Sequence, residues 1–297
     1  MTRFSPRVVP AVVALAACAA LACSSAEPPI VSPGGTTPVP ITTWTQTWSD
    51  EFDGAAGARI DSTKWNYDVG DGCSAGICGW GNSEKERYTD ATENVSLNGQ
   101  GQLAITARPA AAGSTCYYGA CRYTSAKITT RGKLAAGPGR VVARMKLPAG
   151  QGLWPAFWML GNSFPATPWP AAGELDIMEN HGSSPTASSS AIHGPGYSGN
   201  TPFASTYTLS RASFGDDFHT FAVEWNATRV TFYVDDFAHY GVERSQLLSY
   251  GNSVLDQPYF VILNLAVGGN FDGDPRSDTI LPATMLVDYV RAYVPAK

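Results

Sequence analysis

Apolar and polar residues alternate with a period of two along much of the chain, a pattern typical of β-strands with one buried face. Within residues 139–147, Val141, Ala143 and Met145 fall on one side of such a strand, and the residues between them fall on the other. Similar runs predict further strands at 102–107, 221–225, 230–234, 259–267 and 285–294.

Turn signals and the scarcity of helical patterns extend this prediction. Residues 226–228, with the sequence Asn-Ala-Thr, separate two alternating runs and predict a hairpin turn. Only residues 243–248 have a helix-like pattern. The 30 glycines and 21 prolines, beside only 15% charged residues, favour a β-rich extracellular protein over a helical cytosolic one. The predicted fold class is all-β, a two-sheet sandwich or β-jelly roll.

The first residues predict an export signal. Arg3 and Arg7 precede an apolar, alanine-rich stretch at residues 8–22, which is typical of a signal peptide and too short for a transmembrane helix. Cys18 and Cys23 each follow a sequence that resembles a lipoprotein cleavage box. The leader is therefore either of the lipoprotein type or a simple secretory signal. We expect the protein to be secreted or to be anchored at the cell envelope through a lipid on one of these cysteines.

The composition changes twice along the chain and predicts three parts. The leader at residues 1–23 is followed by residues 24–43, which contain proline, serine, threonine and glycine with almost no bulky core former. Such a composition is typical of a flexible or extended tether. From Trp44 onward the composition is that of a folded protein, without a second linker or an internal repeat. We therefore expect one domain at residues 44–297, and a monomer.

The net charge argues against nucleic acid and anionic membranes as partners. The formal charge is −5, and loss of the leader removes two arginines and no acidic residue. An acidic chain without a basic run lacks the electrostatic surface that those partners require. A neutral polymer is the better expectation for the partner.

Four cysteines follow the leader, at Cys73, Cys78, Cys116 and Cys121. An exported protein meets an oxidising environment, so two disulfides are expected. Three connectivities exist, and we favour the local pairs 73–78 and 116–121. Zinc is the alternative, but neither pair has the two-residue spacing of a zinc knuckle.

Three acids occur within a short apolar segment, at Glu174, Asp176 and Glu179. Buried carboxylates cost stability unless they are paired or have a function. Cleavage of a glycosidic bond needs two carboxyl groups that flank the bond, one as nucleophile or base and one as acid. The segment therefore predicts glycosidase chemistry, with an acidic strand at a solvent face or a metal site as the alternatives.

Strand periodicity alone does not place these acids on one face. On a regular strand, Glu174 and Asp176 share a face, whereas Glu179 points into the core. A β-bulge near Ile177 or Met178 would rotate Glu179 back to join the other two. The outer pair would then be about 5–5.5 Å apart, which is the separation in glycosidases that retain the anomeric configuration.

Motifs spread over nearly the whole domain give the chain a resemblance to glycoside hydrolase family sixteen, in particular to its laminarinase-like endo-β-1,3-glucanases. The matching segments include WSDEFDG at 48–54, GWGNSE at 79–84, GLWPAFWML at 152–160, GELDIMEN at 173–180, NLAVGG at 264–269 and VDYVR at 287–291. The resemblance implies a curved β-jelly roll, a concanavalin-like sandwich whose concave face forms the glycan cleft.

The same resemblance implies a role for each acid. Glu174 would be the nucleophile that forms the glycosyl-enzyme. Glu179 would be the acid that protonates the leaving oxygen, and then the base that activates water. Asp176 would lie between them and share a hydrogen bond or proton with the nucleophile. The extra residue in the Glu-x-Asp-x-x-Glu spacing, Met178, resembles the laminarinase branch, whereas the mixed-linkage lichenases have a shorter spacing.

The resemblance also implies substrate-binding residues, because a glycan cleft needs exposed indoles that stack on sugar rings and polar groups that bond to hydroxyls. These residues are Asn82, Glu84, Trp154, Trp158, Trp169, His181 and His193. Trp154 and Trp169 would lie in the donor subsites, with Asn82 as an amide ligand there. His193 would lie near the acceptor side of the cleavage point. A place in the core is an equal alternative for Trp158.

Outside the cleft, the resemblance implies a structural calcium on the convex side, with Glu51 and Asp288 at the acidic positions involved. Oxygen ligands of this kind suit calcium. Residues 272–274 also resemble a cation loop, but a plain turn is the favoured interpretation. His219 and His239 are interpreted as structural. No cofactor is expected for catalysis.

The predicted activity is that of a retaining endo-β-1,3-glucanase acting on laminarin-like β-glucan. One alternative is another activity of the same family, such as cleavage of mixed-linkage glucan or of agar. The alternative from another class is a β-glucan-binding protein without catalysis. The presence of all three carboxylates disfavours this last alternative.

Overall fold

The computed structural model of the protein describes residues 43–297. The predicted leader at residues 1–23, with Cys18 and Cys23, and the predicted tether up to residue 42 lie outside the described residues. Within the described part of the chain, no helix is long and apolar enough to cross a membrane.

Nineteen strands dominate the described residues, and helical structure is limited to short pieces. The strands are β1 (Trp44–Asp50), β2 (Asn66–Asp68), β3 (Glu86–Tyr88), β4 (Val95–Leu97), β5 (Leu103–Pro109), β6 (Thr115–Cys116), β7 (Gly119–Ala120), β8 (Tyr123–Ser125), β9 (Lys127–Thr129), β10 (Gly139–Lys146), β11 (Leu153–Gly161), β12 (Glu174–Glu179), β13 (Ala187–His193), β14 (Phe203–Thr208), β15 (His219–Trp225), β16 (Arg229–Val234), β17 (Phe237–Glu243), β18 (Tyr259–Val267) and β19 (Ala283–Pro295). The helical pieces are two 3₁₀ turns, Cys73–Ala75 and Cys78–Gly81, and α1 (Arg244–Leu248).

Two large sheets account for almost all the strands. One has seven strands in the order β14-β13-β12-β11-β18-β9-β2. The other has the order β17-β16-β15-β10-β19-β5-β8-β3, with β1 beside β19 and β4 beside β5. Neighbouring strands are antiparallel except β3 and β8, which are parallel. This is the predicted all-β, two-sheet jelly-roll sandwich.

The main core is one cluster of buried apolar side chains from both sheets. Alternation along the strands explains its membership. On β10, Val141, Ala143 and Met145 all belong to this cluster, as the period of two predicts. β18 differs because all nine of its residues are buried. Its outer face is covered by β3, because Asn264 donates to the Tyr88 hydroxyl and the backbone N–H of Val267 donates to the Glu86 carboxyl group.

Local signals predicted the turn and the helix correctly. Asn226 directly follows β15, and its side-chain oxygen accepts hydrogen bonds from the backbone N–H groups of Thr228 and Arg229, at 2.8 and 3.0 Å. This Asx turn joins β15 to β16. The helix α1 follows Glu243, whose backbone N–H donates to the side-chain oxygen of Gln246 at 2.8 Å.

The two local disulfides are confirmed. Cys73 pairs with Cys78, and Cys116 pairs with Cys121. The first bridge joins the two 3₁₀ turns, and the second encloses the short β6–β7 hairpin. Each disulfide therefore cross-links residues of a single loop, and neither joins the two large sheets.

Candidate active site

The predicted bulge is present in β12. Across the pair with β11, Met178 lies opposite Phe157, and Asp176 lies opposite Trp158, so that Ile177 has no register partner. The pair with β13 shifts at the same place, between Asp176 and Glu179. The extra residue resets the alternation of side chains along the strand.

The bulge divides the strand into an apolar side and an acidic side. Its apolar side chains are fully buried in the main core: Leu175, Ile177 and Met178. Glu174 and Glu179 are partly exposed, whereas Asp176 is only 3% exposed. The face of the seven-stranded sheet that carries these three acids is called the cleft face below. The regular-strand alternative, with Glu179 in the core, is excluded in this structure.

Glu174 accepts a hydrogen bond from an indole. Nε1 of Trp169 donates to Oε2 of Glu174 at 2.9 Å, and 44% of the Trp169 residue surface is exposed. His193, opposite Glu174 on β13, has its Nε2 3.9 Å from Oε1 of Glu174. Burial, followed by the charge of Asp176, raises the pKa of Glu174 to about 8.

Asp176 lies deepest of the three acids. Its Oδ2 is 3.1 Å from Nε2 of His193, although the alignment does not make a regular hydrogen bond. Burial, followed by the charge of Glu179, raises the pKa of Asp176 well above its ordinary value. Atoms of Glu174, Asp176 and His193 lie within 4.8 Å of one another, a geometry that could also hold a cation.

Glu179 has an indole donor of its own. Nε1 of Trp154 donates to Oε1 of Glu179 at 3.0 Å. Burial, followed by the charge of Glu174, raises the pKa of Glu179 to about 7. Three neighbouring carboxyl groups cannot all be ionised at modest cost, so the cluster keeps protons near neutral pH. A carboxyl group protonated near neutral pH is what general acid catalysis requires.

An aromatic stack lies beside Glu179. The ring of Phe271 is between those of Trp154 and His181, with centroid distances of 4.5 and 3.7 Å. Phe271 was not among the predicted residues. It lies two residues beyond Gly269, after the end of β18. The only available sequence signal was an aromatic residue close behind the NLAVGG motif.

Asp272 holds this stack in place from the next position in the chain. Its Oδ2 accepts hydrogen bonds from the backbone N–H groups of Gly152 at 2.8 Å and Ser183 at 3.0 Å. Nδ1 of His181 is 3.5 Å from Oδ1 of Asp272. Residues 272–274 thus include an aspartate whose oxygens are engaged by protein donors, as expected of a structural turn.

Asn82 and Glu84 belong to a polar network that reaches β18 and β11 of the seven-stranded sheet. Nδ2 of Asn82 donates to one carboxylate oxygen of Glu84 at 3.0 Å, and the hydroxyl of Tyr88 donates to the other at 3.1 Å. Nδ2 of Asn264 donates to the Tyr88 hydroxyl at 3.2 Å, and Nε1 of Trp158 donates to Oδ1 of Asn264 at 2.7 Å. Trp158 therefore joins the polar network and is not part of the main core.

A second acid lies behind this network. Glu86 is completely buried, and its Oε2 accepts the backbone N–H of Val267 at 2.7 Å. Burial, followed by the charge of Glu84, raises the pKa of Glu86 well above its ordinary value. Glu86 was not among the predicted site residues, because it stands in the charged run Lys85-Glu86-Arg87, which is typical of a solvent-exposed segment.

The two predicted calcium ligands are paired with arginines. Both carboxylate oxygens of Glu51 accept from the Arg291 guanidinium, at 3.0 and 2.7 Å. Oδ2 of Asp288 accepts from Arg144 at 2.7 Å. The guanidinium groups of Arg291 and Arg144 thus balance the charges of the two acids, and calcium binding there stays a prediction.

Comparisons with known proteins agree with this geometry. Residues 82–290 match the sequence model of the family described as "Glycosyl hydrolases family 16". The chain is 39% identical over 261 residues to "Glucan endo-1,3-beta-glucosidase A1" of Niallia circulans, covering 83% of this chain and 37% of that protein. It is 36% identical over 257 residues to "Beta-glucanase" of Rhodothermus marinus, covering 84% of this chain and 85% of that protein.

A solved structure extends the likeness to three dimensions. The laminarinase catalytic domain of Thermotoga maritima, crystallised with cetyltrimethylammonium bromide, superposes with a TM-score of 0.80 at 41% sequence identity. The match covers 86% of this chain and 99% of that one. The likeness therefore covers the whole of that catalytic domain, whereas the chain spans little more than a third of the Niallia protein.

Proposed function

The chain belongs to glycosyl hydrolase family 16, and we propose that it is an endo-β-1,3-glucanase that hydrolyses laminarin-like β-glucans with retention of configuration. The observation that carries this proposal is the bulged strand. It brings Glu174, Asp176 and Glu179 to one cleft face, and an indole N–H donates to each outer carboxylate. The relatives named above give the substrate class.

The pKa values of about 8 for Glu174 and about 7 for Glu179 are in the opposite order to these roles, so the first step requires the proton shared by the carboxyl cluster to lie on Glu179 while Glu174 is a carboxylate. A carboxylate oxygen of Glu174 then attacks the anomeric carbon while the glycosidic C–O bond breaks. Glu179 donates its proton to the departing oxygen, which leaves as a sugar hydroxyl. The hydrogen bond from Trp169 holds Glu174 in place. Asp176 is buried beside Glu174, and its raised pKa makes it a proton-sharing neighbour that stabilises the charge changes of the nucleophile.

In the second step, Glu179 is a carboxylate and accepts a proton from water, whose oxygen attacks the anomeric carbon. The ester bond to Glu174 breaks, and the nucleophile is restored. Two inversions at the same carbon give net retention. Glu179 must donate a proton in the first step and accept one in the second. A pKa raised to about 7 by burial and by the neighbouring carboxylate suits both roles.

The surroundings of the acids support a glycan as substrate. Trp169, exposed beside Glu174, offers an indole face of the kind that stacks on sugar rings. We assign donor-side binding to Trp169 and to the network of Asn82, Glu84 and Trp158. We also assign Trp154, whose indole donates to Glu179, to the donor side, and we assign His181, stacked on Phe271, to the wall beside Glu179.

The decisive experiment is digestion of laminarin with proton NMR read before mutarotation. The first reducing sugars released should be β-anomers, and chromatography should find oligosaccharides of several lengths. Lichenan and agarose digested in parallel test the alternative activities. The Glu174→Gln protein, purified identically, controls for contaminating hydrolases. Initial α-anomers would exclude the retaining mechanism, and faster cleavage of lichenan or agarose would exclude the β-1,3-glucan assignment.

Three further properties are proposed on sequence grounds. We propose export, with the mature protein either free or lipid-anchored through Cys18 or Cys23, and a mass measurement of the mature N-terminal peptide distinguishes the two. We propose a monomer, which light scattering tests. A structural calcium at Glu51 and Asp288 stays a prediction, tested by metal analysis of the dialysed protein.

A further inference from the structure

The bulge that aligns the acids is contacted from beneath by a buried hydroxyl. Oγ of Ser190, on β13, donates to the backbone carbonyl of Ile177 at 2.8 Å. Ile177 is the extra residue of the bulge, and neither β11 nor β13 offers it a register partner. Ser190 is 1% exposed and Ile177 is completely buried, so water does not compete for this bond.

A histidine from the other sheet bonds to the same hydroxyl. Nε2 of His239, on β17, lies 3.1 Å from Oγ of Ser190. His239 is itself the extra residue of a bulge: Tyr240 pairs with Phe232 and Ala238 pairs with Tyr233, so His239 has no register partner on β16. The hydroxyl of Ser190 thus links the bulge of β12 in one sheet to the bulge of β17 in the other.

The direction of the hydrogen bonds follows from the chemistry. The Ile177 carbonyl can only accept, so the single hydroxyl proton of Ser190 points to it. The serine oxygen then accepts from His239, which must carry its proton on Nε2. Burial lowers the pKa of His239 to about 4, in keeping with a neutral ring near neutral pH.

We propose that Ser190 and His239 are positioning residues, which fix the bulge of β12 and thereby hold Glu179 in line with Glu174. The side-chain period of a strand is two, so a bulge that slips by one residue would turn Glu179 toward the core. Even a partial slip would change the separation of the outer carboxyl groups. This inference rests on the proposed function for its catalytic consequence, but not for the effect on the strand itself.

The test compares two serine deletions on one strand. Ser190→Ala removes the hydroxyl that bonds to Ile177. Ser188→Ala is the matched control, because Ser188 is also 1% exposed, lies two residues away on the same face, and has no hydrogen-bond partner among the described residues. Ser190→Ala should lower kcat on laminarin by about 10- to 100-fold, the cost of misplacing a reacting group, with KM within about threefold.

The pH profile of kcat/KM gives a second readout. The limb that reports Glu179 should move in Ser190→Ala, because the distance to Glu174 sets part of its pKa, and should not move in Ser188→Ala. A lower melting temperature with unchanged kcat and unchanged pH profile would mean that the hydroxyl is merely structural, and would overturn the proposal.

Amide hydrogen exchange provides a readout that needs no substrate. Exchange in the peptide covering residues 175–180 should be faster in Ser190→Ala than in Ser188→Ala. If the unmodified protein failed to cleave laminarin but this difference appeared, the proposed function would fail and the fixing of the bulge would stand. If the protein cleaved laminarin and the two variants exchanged and reacted alike, only the present inference would fail.

The histidine is tested separately, which also covers a Ser190→Ala protein that does not fold. His239→Gln keeps an N–H donor within reach of Ser190, whereas His239→Leu removes it. We expect kcat to fall more in His239→Leu than in His239→Gln, with faster exchange in the 175–180 peptide in the former alone. Equal kcat and equal exchange in the two variants would remove His239 from the proposal.

Discussion

Two groups of buried acids lie in this protein, and they differ in what surrounds them. Glu174, Asp176 and Glu179 lie on β12, whereas Glu86 begins β3 and Glu84 lies two residues before it. In both groups, burial and a neighbouring carboxylate raise pKa values. Both therefore incur the cost of placing carboxyl groups away from water.

Access separates the two groups. The outer carboxylates of β12 are partly exposed, and each accepts a hydrogen bond from an indole that is itself partly or well exposed. Glu86 is completely buried against the backbone of Val267, and Glu84 is engaged by Asn82 and Tyr88. We assign proton transfer to the acids of β12, and we assign to Glu84 and Glu86 the support of the donor-side network that includes Asn82. The charge of Glu84 also contributes to the raised pKa of Glu179.

The sharpest test of this difference makes one chemical change in each group. Glu174→Gln keeps the shape of the side chain but cannot form the covalent ester, so kcat on laminarin should fall by on the order of 10⁴-fold or more. Glu86→Gln replaces a completely buried carboxyl group, whose pKa burial raises, by a neutral amide of similar shape. We expect its kcat to stay within about threefold of the unmodified protein.

Initial rates on laminarin at neutral pH, with circular dichroism of both variants, are sufficient for this comparison. Turnover of Glu174→Gln within tenfold of the unmodified enzyme would remove Glu174 from the role of nucleophile. A loss in Glu86→Gln as large as that in Glu174→Gln would show that the two groups do not differ in function.

The next effect concerns Trp154, which connects Glu179 to the stack on Phe271. Trp154→Ala should weaken binding of laminari-oligosaccharides by about 1–3 kcal/mol, the scale for truncating a well-packed aromatic anchor. Calorimetry in the Glu174→Gln background measures this without turnover. Trp154→Phe is the control that keeps an aromatic ring but loses the N–H donor. Unchanged affinity in the alanine variant would place Trp154 outside the subsites.

The acids of β12 could be predicted because their chemistry and their position are both local. Glycosidase chemistry requires the three acids to lie on the same face of the strand. In a strand that alternates, only a bulge after Asp176 could place Glu179 on that face, and the structure has this bulge. Glu84 was found through its motif. Glu86 was not, because its burial depends on pairing with Val267, which is 181 residues away in the chain. Nothing in its immediate sequence carries that information.

Other differences have similar causes. β13 and β14 were not predicted because serine and threonine occupy many of their positions and hide the apolar alternation. The contact between Ser190 and His239 joins two sheets and two bulges, which no periodicity indicates. Glu51 and Asp288 offered the acid types that calcium needs, but their partners Arg291 and Arg144 are set by strand register.

The stability of the protein should depend on pH through these buried acids. The folded-state pKa of Glu86 is raised above its ordinary value of 4.5. The contribution of Glu86 to the free energy of unfolding is therefore fully present below pH 4.5. It is lost as the pH rises from there to the folded-state pKa, by about 1.4 kcal/mol for each pH unit between the two pKa values. Glu86→Gln does not titrate, so it should be more stable than the unmodified protein at pH 9 and show a flatter profile.

Urea denaturation from pH 5 to pH 9 measures this profile. Glu174 has a raised pKa for the same reason, and Glu174→Gln should flatten the profile in the same direction. Both substitutions should therefore flatten the dependence of stability on pH, whereas only Glu174→Gln should lower kcat strongly. A stability of Glu86→Gln that falls with pH as steeply as that of the unmodified protein would show that Glu86 is ionised when buried.

The smallest expected effect is that of the disulfides, and it tests whether the two groups of acids are mechanically separate. The bridge Cys73–Cys78 closes a loop next to Gly79, whose backbone carbonyl accepts the N–H of Glu84 at 3.1 Å. Short loops gain little from cross-linking, about 2 kcal/mol in the chain-entropy account. Replacing both cysteines by serine should loosen the segment that carries Glu84 and Glu86, and leave β12 as it is.

Hydrogen exchange should therefore become faster in residues 79–88 and stay unchanged in residues 174–179, with kcat within about twofold and a modest rise in KM. The Cys116→Ser/Cys121→Ser variant opens a bridge that also spans five positions, in a loop whose Tyr117 and Tyr118 bond to Lys85 of the same segment. It is therefore a second perturbation of residues 79–88, and it too should leave kcat and the exchange of β12 unchanged. If loss of Cys73–Cys78 changed kcat or the exchange of β12, the two acidic groups would be coupled, and the separation between support and chemistry would not hold.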